Sequence, residues 1–300
     1  MSEVETRCGY VTFLGATNAG KSTLLNHMVG AKVSIVTHKV QTTRALIRGI
    51  GMQGRTQIIF VDTPGIFDPR RRLDRAMIRT AWSGTQDADV VCLLVDAKRD
   101  MNESVIEILE RLKTVRQPRL LVLNKIDLVP RAELLELTEK ANAICTFDET
   151  FMVSALNGDG VADLMQHLCA QMPAGPWLYP EDQASDLPMR QLAAEITREK
   201  LFLRLHEELP YASTVETEDW KTLKDGSARV EQTIYVQRAS QKKIVIGKGG
   251  QTIRGISSDA RREMAEIYGQ KIHLFLFVKV RENWIDDPER YREMGIDFTQ

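Results

Sequence analysis

Residues Gly15-Ala16-Thr17-Asn18-Ala19-Gly20-Lys21-Ser22 constrain this chain more than any other stretch. They fit G-x-x-x-x-G-K-S at every position. Such a loop works only where it closes a buried strand and opens a helix. Its backbone N–H groups then wrap an anion, and the helix N-terminus adds its positive dipole end. The flanks meet that demand: residues 10–14 form an apolar, strand-like run, and residues 22–28 have helical composition. Lys21 would reach the β- and γ-phosphates of a nucleotide, and Ser22 would place its hydroxyl on Mg2+.

The first half continues in the same rhythm. Residues 57–61, 90–95 and 120–123 read as buried strands, and residues 73–85 and 103–113 as helices. Strands alternating with helices predict a mixed, mostly parallel sheet covered on both faces, an α/β P-loop domain.

Motifs follow the strands in order. Asp62-Thr63-Pro64-Gly65 comes after the strand at 57–61. Its carboxylate can hold Mg2+ through water, and the Gly65 N–H is placed to sense a γ-phosphate. Asn124-Lys125-Ile126-Asp127 comes after the strand at 120–123. Asp127 can accept two hydrogen bonds from the guanine N1–H and N2 amine, a donor pair that adenine lacks, so the base is guanine and the ligand GTP or GDP. Asn124 would brace the loop and Lys125 lie along the base. Ser154-Ala155-Leu156 follows a strand at 151–153, with the Ala155 N–H expected at the guanine O6. Between the P-loop helix and Asp62 lies Gln41-Thr42-Thr43-Arg44-Ala45. A hydroxyl there, Thr43 first and Thr42 second, would complete the Mg2+ shell only with a γ-phosphate present, as a switch segment does. The residue after Gly65 is Ile66, which cannot orient an attacking water as a glutamine would. Intrinsic hydrolysis is therefore expected to be slow, and no general base is assigned. Lys21, Thr43 and Gly65 are expected as transition-state and switch contacts.

Three prolines and a glycine between residues 172 and 182 break the pattern and mark a linker. Beyond it the order reads α-β-β-α-loop-α-β. Residues 188–209 are helical, with Leu192, Ile196 and Leu203 on one stripe. Residues 213–218 and 228–238 alternate as strands around an Asp225-Gly226 turn. Residues 241–246 and 252–268 are helical, and 271–281 form a last strand. Gly247-Lys248-Gly249-Gly250 joins the last two helices. The run from Arg238 to Arg262 carries seven basic residues against one acid, Asp259. The formal net charge of the whole chain is only −1, so any nucleic-acid site must come from this local cluster. Lys242, Lys243, Lys248 and Arg254 are candidate RNA contacts. Ile244, Ile246, Ile253, Ile256 and Tyr235 are candidate base-facing residues, each equally placed to be core. The partition predicted is 1–175, a linker at 176–187, a second domain at 188–282 and a tail at 283–300, with Trp284, Tyr291 and Phe298 as isolated aromatics.

Cys8, Cys92, Cys145 and Cys169 show no metal or redox spacing and are expected as free thiols in a reducing cytosol. The acidic start lacks an apolar leader, and no apolar run nears the roughly 20 residues of a membrane span. Cytoplasmic residence is expected.

These motifs, in this order, resemble the translation-factor-related GTPases. Within that class, Gln41-Thr42-Thr43-Arg44, Asp62-Thr63-Pro64-Gly65 and Asn18 resemble the Era group. The glycine loop and its flanking elements resemble an α+β type II KH domain, in which the loop clamps a single-stranded RNA backbone. The resemblance spans about residues 10–281. It implies binding of 16S rRNA near its 3′ end, a role in 30S subunit assembly and rRNA maturation, and a link to growth or cell-cycle control. It also implies peripheral contact with the inner membrane, a monomeric chain, and a K+ beside the phosphates at Asn18 that stimulates hydrolysis. Two other classes compete with this reading: a GTP-dependent RNA-modifying factor, for which no catalytic cysteine motif or cofactor site appears, and a membrane-signalling GTPase whose second domain binds protein or lipid.

Overall fold

The computed structural model describes residues 5–69, 72–207, 209–282 and 284. Among these, two compact units separate. One takes the residues up to Ser34 together with Thr43–Asp186, and the other takes Ile35–Thr42 and the residues from Leu187 onward.

The first unit is built on a six-stranded sheet. Its strands are β1 (Arg7–Gly15), β2 (Ile47–Gln53), β3 (Thr56–Asp62), β4 (Val90–Asp96), β5 (Arg119–Asn124) and β6 (Glu149–Val153), ordered β2-β3-β1-β4-β5-β6. Only β2 runs antiparallel to its neighbour. Every residue of β3 and β4 is buried, as expected where helices cover both faces. Alternation along β4 divides the core. Val90, Cys92 and Leu94 pack with α1 (Lys21–Val29) and α5 (Val161–Gln171), while Val91, Leu93 and Val95 pack with α2 (Arg72–Ser83), α3 (Glu103–Leu112) and α4 (Arg131–Ile144). Helix α3 shows the local logic. Asn102 caps it by accepting the Val105 N–H at 3.1 Å, and Val105, Ile108, Leu109 and Leu112 form one buried stripe. Each such side chain contributes about 1.5–3 kcal/mol by leaving water.

Strand β2, α4 and α5 were not anticipated from the sequence. Strand β2 contains Gly49 and Gly51, which weaken a strand signal. The Gly49 position has a packing reason: a Cβ there would lie 2.8 Å from Leu25 Cδ1. The proline-bearing stretch after α5 lies along this sheet. The Ile50 N–H donates to the Ala184 carbonyl at 2.8 Å, and Gln57 Oε1 accepts the N–H groups of Leu178 and Tyr179 at 2.9 and 3.0 Å.

The second unit contains α6 (Met189–Arg204), β7 (Ser213–Thr222), β8 (Ala228–Val236), α7 (Ala239–Ile246), α8 (Gln251–Tyr268) and β9 (Ile272–Val280). The sheet order is β7-β8-β9, with β8 antiparallel to β7 and parallel to β9. The α-β-β-α-α-β order matches expectation. The α6 stripe differs from it: Leu203 is exposed, and Ile196, Leu201 and Phe202 are the buried residues. Trp284, expected to be isolated, is buried and donates its indole N–H to the Ala212 carbonyl at 3.3 Å. Tyr291 and Phe298 lie outside the described residues, as does the rest of the tail beyond Trp284.

Candidate functional site

Helix α1 begins at Lys21 directly after Gly20, whose φ of 98° and near contact with Asn124 suit glycine alone: a Cβ there would meet Asn124 Nδ2 at 2.1 Å. No side chain caps this helix, so its first N–H groups face the loop, the arrangement that receives a phosphate. Lys21 is buried, and its Nζ donates to the Gly15 and Ala16 carbonyls at 3.1 and 3.0 Å. Burial pushes its ammonium down to about 8, against the pull of the Asp62 carboxylate.

Three hydroxyls converge on Asp62, which is fully buried at the end of β3. Ser22 Oγ donates to Asp62 Oδ2 at 2.5 Å, Ser34 Oγ at 2.9 Å and Thr43 Oγ1 at 3.4 Å, with Ser22 and Thr43 oxygens 3.0 Å apart. Asp62 Oδ1 is buried with no hydrogen-bond partner. Burial raises the carboxyl pKa, partly offset by Lys21 and the hydroxyls. A hard divalent cation takes oxygen donors of this kind, so the orphaned carboxylate oxygen and the paired hydroxyls fit Mg2+. The Thr63 hydroxyl is used elsewhere, donating to the Phe13 carbonyl at 2.7 Å. Pro64 and Gly65 are buried, and a Cβ on Gly65 would come within 2.8 Å of Thr17 Cα. The Ile66 N–H donates to the Gly15 carbonyl at 3.1 Å and its side chain is buried.

The segment Asn124–Asp127 is tied to the Gly15–Ser22 loop. Asn124 Nδ2 donates to the Ala19 carbonyl, while Asn124 Oδ1 accepts the N–H groups of Lys125 and Ala155 at 2.8 and 2.9 Å. Lys125 Nζ donates to the Asn18 carbonyl at 2.8 Å and pairs with Asp96 at 2.6 Å. The Ala155 N–H, expected at the guanine O6, is thus engaged by Asn124. Asp127 is exposed rather than buried, in a 3-10 turn with Ile126, and Leu156 is exposed. Asn18 adopts a left-handed φ of 63°. Thr43 and Arg44 are buried, Ala45 is half-buried, and Gln41 and Thr42 belong to the second unit. Sequence reasoning missed Ser34 and Asp96, which carry no motif and become visible only when the fold brings Ser34 to Asp62 at the end of β3 and sets the end of β4 beside the end of β5, within reach of Lys125.

In the second unit, Gly247, Gly249 and Gly250 all have positive φ, at 75°, 59° and 77°. Helix α8 starts after Gly250 with no side-chain cap, leaving N–H groups for a phosphate. Lys243, Lys248 and Arg254 are exposed and Lys242 is half-buried. Ile244 is 57% exposed, whereas Ile256 is fully buried in the core, so Ile256 is withdrawn from the base-facing set. Ile246 and Ile253 are half-buried at the core margin, and the Tyr235 hydroxyl donates to Glu218 at 2.9 Å.

Two family models match this chain. The model described as 50S ribosome-binding GTPase matches residues 10–125, and the KH domain model matches residues 208–285. GTPase Era of Rhizobium meliloti (strain 1021) is 65% identical over 99% of this chain and 95% of its own length. GTPase Era of Brucella suis biovar 1 (strain 1330) is 64% identical over 98% and 94%. The chain belongs to the Era family of GTPases. Two solved Era structures, each 36% identical and covering 97% of this chain and 99% of their own, agree with its fold. One is Era in complex with MgGDPNP and nucleotides 1506–1542 of 16S ribosomal RNA, at a TM-score of 0.91. The other is an Aquifex aeolicus Era variant bound to GDP.AlF4−, at 0.92. Era membership makes the chain a GTPase whose P-loop domain is followed by a KH domain.

Proposed function

We propose that this Era-family GTPase binds 16S rRNA near its 3′ end and acts in 30S subunit assembly and rRNA maturation, as a monomer. The observation that carries the reading is the pairing, in one chain, of the Asp62 hydroxyl cluster with the uncapped, three-glycine start of α8. The Era structure that holds MgGDPNP and nucleotides 1506–1542 of 16S rRNA supports it.

Gly15–Ser22 grips the phosphates of GTP or GDP, Ser22 and Thr43 hold Mg2+ directly, and Asp62 holds it through water. Mg2+ supplies charge neutralisation of the phosphates when bound. Lys21, Thr43 and Gly65 meet the γ-phosphate, Asp127 reads guanine, and K+ beside Asn18 raises the hydrolysis rate. Gly247–Gly250, with Lys242, Lys243, Lys248 and Arg254, clamps the RNA backbone. The working partition remains a GTPase domain at 1–175, a connecting segment at 176–187, a KH domain at 188–282 and a tail at 283–300. Residence is cytoplasmic with peripheral inner-membrane contact; among the described residues no helix is long and apolar enough to cross a membrane.

RNA crosslinking and sequencing from the GTP-loaded protein tests the reading. Recovery of the 16S 3′ end across Gly247–Gly250 is expected. Recovery of unrelated RNA, or of none, would overturn it.

A further inference from the structure

Two charged side chains on α6 are withdrawn from water: Arg198 is 1% exposed and Glu199 3%. A buried ion is costly unless hydrogen bonds surround it, so their partners carry meaning. Arg198 Nε donates to Glu195 Oε1 at 2.8 Å, and Nη2 donates to Glu195 Oε2 and, at 2.5 Å, to the Thr42 carbonyl. Its guanidinium carbon lies 5.2 Å from the centre of the Phe202 ring. Glu199 Oε1 accepts the Val36 N–H at 2.9 Å, and Lys39 Nζ donates to the Leu205 carbonyl. Residues 35–42 are thereby fastened to α6 and its C-terminal end at three points, all within the second unit.

The residue bonded to Thr42 is Thr43, whose hydroxyl meets Ser22 and Asp62. We propose that Arg198 is a positioning residue for GTP hydrolysis: by holding the Thr42 carbonyl it fixes the backbone that presents the Thr43 hydroxyl. The inference rests on the reading of Thr43 as the switch ligand. An Arg–Glu pair three residues apart on a helix needs no burial to form. What burial adds here is the carbonyl contact, made by the same planar fork that binds Glu195. The fastening is also incomplete. Arg198 Nη1 is buried with no hydrogen-bond partner, so opening the contact would return that N–H group to water. A contact whose release regains solvation suits a segment that must alternate between held and free.

Four proteins test this: wild type, Arg198→Met, Thr43→Ala and the double variant. The readouts are amide hydrogen exchange over residues 36–43 without nucleotide, and affinity for GDP and for a non-hydrolysable GTP analogue. Arg198→Met is expected to speed exchange in that segment and weaken the analogue several-fold while sparing GDP. It should add nothing to the analogue defect of Thr43→Ala. Equal loss of both nucleotides, unchanged exchange, or full additivity with Thr43→Ala would overturn the proposal. Arg198→Lys should rescue poorly, since an ammonium cannot reproduce the fork; full rescue would count against it. Should Arg198→Met not fold, Glu195→Gln takes its place and is expected to give the same pattern, weaker. A silent Thr43→Ala would instead remove the switch reading on which the proposal stands.

Discussion

Asn124 Nδ2 lies 2.8 Å from the carbonyl oxygen of Ala19, a contact that spans from the end of β5 to the phosphate loop. One side chain, 2% exposed, therefore holds the Asn124–Asp127 loop, the Ala155 turn and the P-loop in a single geometry. Replacing it with alanine strands the Ala155 N–H and the Ala19 carbonyl. Asn124→Ala should cost about 1–3 kcal/mol of stability, the usual price of an orphaned buried polar group. Affinity for GTP and GDP should fall together, since the contact serves both. Urea denaturation with fluorescent-nucleotide titration would check this, and loss of one nucleotide only would refute it.

The buried ammonium of Lys21 makes the nucleotide-free protein sensitive to alkaline pH. Its folded pKa, about 8, lies below the ordinary 10.5. Below pH 8 it is charged in both folded and unfolded chains, and the folded chain bears the full burial cost. Between about 8 and 10.5 the unfolded chain holds the extra proton, so this group's contribution rises with pH, by about 3 kcal/mol at most. Lys21→Met should remove that rise. The measurement is the difference between wild-type and variant unfolding free energies across this window, and a difference that stays flat with pH contradicts the assignment.

Removing Gly247 should separate the two activities. A Cβ there would lie 2.2 Å from Thr252 Oγ1 and 2.9 Å from the Thr252 nitrogen, in a conformation with φ of 75° that side chains rarely adopt. Gly247→Ala is therefore expected to distort the start of α8 and weaken RNA binding by about ten-fold or more, as loss of one to two phosphate contacts would. The basal GTPase rate should be unaltered. Filter binding and phosphate release, run on the same preparation, decide it.

Lys248 is exposed beside that loop. If it contacts phosphate, Lys248→Ala should weaken RNA binding equally across sequences and reduce the salt slope by about 1. A change confined to one sequence would make it a base contact instead.

K+ and Na+ should give different hydrolysis rates, and Asn18→Ala should bring them together. Equal rates in the wild-type protein would dismiss the ion at Asn18.

Much of this architecture was legible because it is periodic or punctuated. The fully buried strands β3 and β4 read as continuous apolar runs, and Gly15–Ser22 announced its own strand and helix. What stayed hidden depends on relations across the fold. Strand β2, with two glycines in seven residues, has a sequence shaped by close approach to Leu25 rather than by strand preference. Ile244 and Ile256 are the same residue type twelve positions apart, yet one is mostly exposed and the other sealed in the core, a difference set by helix rotation that composition does not encode. Arg198 reads as an ordinary helix-surface cation until residues 35–42 cover it.

The stretch that binds along the first sheet, from Trp177 to Asp186, has one more consequence. Ala184 and Ser185 occupy hydrogen-bonding positions on β2, whose outer side would otherwise offer an unpaired ladder. Open ladders recruit other chains. A GTPase fragment cut at residue 175 would therefore carry an intact nucleotide site and a bare, sticky flank, and should self-associate where a fragment cut after Asp186 stays dispersed.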